Sequence, residues 1–92
     1  MTNLGGIEVA EQQGLTKMPQ QAASAWSAFD GSIVGAGYKP IAFVGTQIVK
    51  GLNFVFLAEQ TLMTNPISRH IVLVTINNFD GKYTTVGIEN VI

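Results

Sequence analysis

Apolar and polar positions alternate through most of the second half of the chain, which is the period of a strand with one covered face. Between Tyr38 and Val49 the alternation is loose. Ile41, Phe43 and Val49 fall to one side and Val44 and Ile48 to the other, while Pro40, with no amide proton to donate, is confined to an edge or to the start of the run. Lys50-Gly51 predicts a tight reversal, and Leu52, Phe54, Phe56 and Ala58 then share one side of a returning strand. Glu59 to Ser68, interrupted by Pro66, reads as a polar connection. A third strand of consecutive apolar residues follows at Ile71-Val72-Leu73-Val74-Thr75-Ile76, and Asp80-Gly81 is a hairpin signal leading into a last strand, Tyr83 to Ile88.

The first eighteen residues differ. Gly5, Gly6 and Gly14 stand among polar residues without a sustained period, so 1–18 is expected to be an open arm. From Pro19, suited to a first helical position, the residues turn helix-tolerant and place Ala22, Ala25, Trp26 and Phe29 on one face. Asp30-Gly31 is the expected stop, which predicts a helix over 19–30, and Gly35-Ala36-Gly37 reads as a bend. The chain 1–92 is thus expected to be one α+β domain, with strands across 38–92. An amphipathic helix and a half-apolar sheet each need a partner, so the helix should cover one face of an antiparallel meander. Trp26 and Phe29 would then pack on Phe43, Phe54, Leu73 and Val86.

Composition narrows the function. A chain of 92 residues is expected to form one core, with no second lobe to close over a substrate. Apolar residues make up 47% and charged residues 12%, so some apolar surface is expected to stay outside. Five basic against six acidic residues leave no footprint for nucleic acid and no basic face for a membrane. The absence of cysteine removes disulfides, thiolate metal sites and a thiol nucleophile, and fits a reducing compartment. With no signal-peptide pattern at Met1-Thr2-Asn3-Leu4-Gly5 and no apolar run of about eighteen residues, a cytoplasmic protein is expected, and a secreted chain freed of its signal would read the same.

Chemistry-bearing residues are sparse. The single histidine, His70, reads as a strand-start residue, and Glu8, Glu11, Asp30, Glu59, Asp80 and Glu89 are dispersed singly, so neither a metal site nor an acid–base pair is marked. The expectation is no catalytic residue, no metal, no cofactor and no enzymatic activity. What remains are three small loops able to lie at one end of the sheet: the arm around Gly5, the turn at Lys50-Gly51 and the turn at Asp80-Gly81.

Gln47-Ile48-Val49-Lys50-Gly51 matches the glutamine-x-valine-x-glycine motif of the cystatins, and Leu52-Asn53-Phe54 resembles the continuation of that motif in the disulfide-free cytoplasmic stefins. Leu4-Gly5-Gly6-Ile7 is similar to the stefin N-terminus, and the order of helix, strand, motif hairpin, strand, strand, hairpin and strand carries the resemblance over essentially the whole chain. It implies a cystatin-like roll, one N-terminal helix on a four- to five-stranded antiparallel sheet. It also implies a reversible, tight-binding inhibitor of papain-like cysteine proteases. Leu4 would fill an apolar subsite, Gly5 would bend the arm away from the catalytic centre, Gln47 to Gly51 would cover the cysteine–histidine pair, and Phe79-Asp80-Gly81 would form the second hairpin, with Phe79 its anchor.

Three features depart from the family. The expected helix has room for about three turns at 3.6 residues each, where the cystatin helix is long, so either Ser32-Ile33-Val34 extends it or the helix is shortened; Phe79-Asp80-Gly81 stands where stefins tend to carry leucine-proline-glycine; and the chain is poorer in charge than a typical stefin. The low charge and the short helix support the alternative, a cystatin-fold interaction or self-assembly module without inhibitory activity. The short Lys50-Gly51 hinge between long apolar strands also invites a domain-swapped homodimer.

Overall fold

The computed structural model describes residues 6–10, 14, 18–33 and 35–92. In chain order the elements are β1 (Glu8–Val9), α1 (Gln20–Ser32), β2 (Ala36–Val49), β3 (Gly51–Leu62), β4 (Ser68–Phe79) and β5 (Lys82–Asn90). The strands form one antiparallel sheet in the order β1-β2-β3-β4-β5, each pairing with its neighbour in sequence. One helix on a five-stranded antiparallel sheet is an α+β fold, as the alternation predicts.

The strands run longer than the apolar runs that announce them. β3 continues through Glu59 to Leu62 and β4 begins at Ser68, so the expected ten-residue connection shrinks to 63–67. Polar residues are carried into these ends because Tyr38↔Gln60, Thr61↔Arg69 and Leu62↔Ser68 continue the backbone ladders. Part of the expected arm is also strand. Glu8 pairs with Thr46 and Val9 with Gly45, and the Ala10 amide donates to the Val44 carbonyl at 2.9 Å.

The helix differs at its end. Pro19 precedes the first turn, its carbonyl accepting from Ala23 N–H at 3.0 Å, and the helix runs through Gly31 to Ser32 instead of stopping at Asp30. Gly31 is not among the residues with positive φ. The Ser32 hydroxyl donates to the Phe29 carbonyl at 2.8 Å, and the chain leaves through an extended Ile33. The left-handed conformation falls on Gly35, with φ of 87°, whereas Ala36 and Gly37 belong to β2.

Ala22, Ala25 and Phe29 are buried against Phe43, Phe54, Phe56, Ala58, Val72, Val74 and Ile76. Trp26 joins from the edge, its ring 5.1 Å from those of Phe29 and Phe56, and Phe29 stands edge-on to Tyr38 at 4.9 Å. Burying one such aromatic side chain is worth about 1.5–3 kcal/mol, so this seam is what holds helix to sheet.

Two expected core residues lie elsewhere. Val72, Val74 and Ile76 face the helix, so Leu73 falls on the opposite side of β4. Val86 is 57% exposed because β5 carries an extra residue there, Thr85 pairing with Ile76 and Gly87 with Thr75. Similar irregularities at Ile41 and Val44 break the period of β2, which is why the expected grouping of Ile41 with Phe43 fails: Phe43 is buried and Ile41 exposed.

Candidate functional site

The two hairpins reverse side by side at one end of the sheet. Gly51, with φ of 88°, lies so close to β4 that a Cβ there would stand 2.5 Å from the Asn78 carbonyl oxygen and 3.0 Å from the Phe79 Cβ. Glycine is required twice over, for the left-handed backbone and for the close approach. Lys50 Nζ lies 5.3 Å from the centre of the Phe79 ring, within cation–π range, so the tips touch through side chains as well.

Beneath the tips a row of amides crosses three strands. Gln47, Asn53 and Asn77 are register partners on β2, β3 and β4. Asn53 Nδ2 donates to Gln47 Oε1 at 3.3 Å, and Asn77 Nδ2 donates to Asn53 Oδ1 at 2.9 Å and to the Lys50 carbonyl at 3.1 Å. Asn53 is 6% exposed, the only buried polar residue among those described, and no buried side-chain nitrogen or oxygen there lacks a partner. An amide pairs with backbone and with other amides at once, so this row fixes one hairpin against the other without a charge to desolvate. In the sequence Gln47 belongs to the motif and Asn53 to its continuation, but neither is marked as a partner of the other or of Asn77. Their signal was polar residues in apolar strands, one beside a turn.

Apolar side chains project around this scaffold. Ile48 is 72% and Phe79 49% exposed. Because β1 runs antiparallel to β2, the chain traced back from Glu8 to Gly6 heads toward the Val49–Gly51 end of β2. Gly45 permits that pairing, since a Cβ on it would run into the Glu8 carbonyl. The structure thus brings together Gln47, Ile48, Val49, Lys50, Gly51 and Phe79, followed directly by the Asp80-Gly81 turn, where both residues adopt positive φ. Leu4 and Gly5 lie outside the described residues.

Elsewhere the surface offers little chemistry. His70 Nε2 and Ser68 Oγ are 2.9 Å apart, and among the described residues no three His, Cys, Asp or Glu side chains cluster as metal ligands would. A hollow of about 420 Å³ beside β1 is walled by Val9, Ala10, Pro19, Phe43, Leu52 and Phe54, with Glu8 the one carboxylate in its lining. Among the described residues no helix is long and apolar enough to cross a membrane.

Comparison with known proteins returned no match: no family model, no curated protein and no solved structure.

Proposed function

We propose that this chain is a reversible, tight-binding inhibitor of papain-like cysteine proteases, and that the paired hairpin tips are the wedge that enters the protease cleft. The observation that carries the reading is the locking of Lys50-Gly51 against Asn78 and Phe79, with Asn77 bonded to the Lys50 carbonyl. A cleft is blocked by a ridge that keeps its shape, because each immobilised side chain or loop otherwise costs about 0.5–1.5 kcal/mol on binding. The resemblance of Gln47 to Gly51 to the cystatin motif supplies the class of target.

In this mechanism inhibition is occupancy. Gln47 to Gly51 cover the catalytic pair, Gly51 holding the tip in shape by packing on Asn78 and Phe79, Ile48 and Phe79 supply exposed apolar contact, and no group of the inhibitor takes part in a reaction. The chain traced back to Gly6 heads toward the same end, and the resemblance assigns Leu4 a further apolar contact and Gly5 the bend of the arm.

Titrating a fixed amount of papain with the intact chain tests the proposal. A stoichiometric loss of activity, weakened when Met1 to Gly5 are removed, is the expected result. Papain left fully active at micromolar concentrations of the chain would sink the proposal and favour the non-inhibitory interaction module, for which the thirteen-residue helix speaks.

A further inference from the structure

β5 is an outer strand of the sheet, and the side turned away from β4 pairs with nothing among the described residues. Unpaired strand edges invite another strand, and proteins commonly blunt them. The opposite edge is blunted: β1 and Ala10 cover β2 at Val44 to Thr46, while Pro40, the exposed Lys39 and the extra residue Ile41 interrupt the rest. β5 has only the extra residue at Val86. It contains no proline, and its two charges, Lys82 and Glu89, enclose the uncharged run Tyr83-Thr84-Thr85-Val86-Gly87-Ile88.

The placement of those charges identifies the occupant. Thr85 pairs with Ile76, Lys82 with Phe79 and Glu89 with Leu73. Counted along β4, Lys82 and Glu89 therefore stand three positions on either side of Thr85. The extra Val86 puts both on the same face of the sheet, whereas seven residues in an uninterrupted strand would put them on opposite faces. Tyr83 and Ile88, partners of Asn78 and Val74, are likewise two positions on either side, and both pack against the core beneath the helix.

We propose that a second copy of this chain pairs its β5 antiparallel to this one, about a two-fold axis at Thr85. Lys82 of each copy then lies opposite Glu89 of the other, Tyr83 opposite Ile88, and Thr84 opposite Gly87, which makes one continuous sheet of both copies. The interface is isologous, so each favourable pair occurs twice. Opposite charges and aromatic–aliphatic pairs facing one another are the arrangements that stabilise antiparallel strands, and a parallel approach would set like charges together. A single strand edge is small beside a standard interface, so the dimer is weak and forms with rising concentration.

Sedimentation equilibrium at low ionic strength over a wide concentration range tests this. The intact chain should move from a mass of 9.8 kDa toward twice that value. Lys82→Glu and Glu89→Lys each place like charges opposite at both ends, and each variant should stay monomeric with an unchanged unfolding midpoint, since both side chains are exposed. An equimolar mixture of the two variants pairs Glu with Lys at both ends, and should dimerise again. A mass fixed at the monomer value at every concentration would overturn the proposal. So would dimers that survive both charge reversals, the behaviour of an exchange through the Gly51 hinge.

Discussion

At the scale of single residues, the hairpin end depends on one glycine and two asparagines. Gly51→Ala must place a Cβ 2.5 Å from the Asn78 carbonyl and hold a left-handed backbone that costs an L-residue about 1–2 kcal/mol. We expect the substitution to lower the urea-unfolding free energy by at least that amount, and an unchanged midpoint would show that the tips are not in contact. Asn77→Ala removes the donor to Lys50 and leaves the buried Asn53 oxygen without that bond, a loss of about 1–3 kcal/mol in the same measurement. Asn77→Leu should be no better, because the Asn53 oxygen stays unsatisfied. These roles were only partly legible in the sequence. Gly51 was marked by its turn and its motif, but a polar residue inside an apolar strand shows its partners only when register brings Gln47, Asn53 and Asn77 into one row.

At the scale of elements, alternation identified the four long strands and the face of β3 that carries Phe54, Phe56 and Ala58. It failed on Val86 and Ile41 because a single extra residue inverts which face the rest of a strand presents, and no composition announces it. It failed also on Leu73, since from Ile71 to Val74 both faces of the strand are apolar, the period vanishes there and the partner strand decides the side. The helix is too short to be stable alone, as isolated helices under about 12–15 residues are marginal in water, so its order derives from the aromatic seam. Phe29→Ala should therefore cost about 3–5 kcal/mol, a large share of what a small domain possesses, and should lower the helical circular-dichroism signal with the unfolding midpoint. β1 is the opposite case, two residues held at Gly45 and nearby. Gly45→Ala puts a methyl where the Glu8 carbonyl lies, and the Ala10 amide should lose its hydrogen-exchange protection while amides of β3 and β4 keep theirs. Equal loss across the sheet would mean that β1 is integral to the fold.

At the scale of the whole molecule, the sheet separates two regions. One end carries the locked hairpin tips, and the outer edge of β5, unpaired among the described residues, runs away from them. Of the exposed apolar side chains, Ile48 and Phe79 project at the tips, where contact with another molecule is proposed. Contact through the tips can be observed by recording backbone amide resonances of the labelled chain while papain, its catalytic thiol blocked by a small adduct, is added. Perturbation should concentrate at Gln47 to Gly51 and at Asn77 to Gly81, and Ile48→Asp should abolish it without altering the remainder of the spectrum. Perturbation centred on the face of β3 and β4 away from the helix, or none at protease concentrations well above those of the chain, would show that the tips are not the wedge.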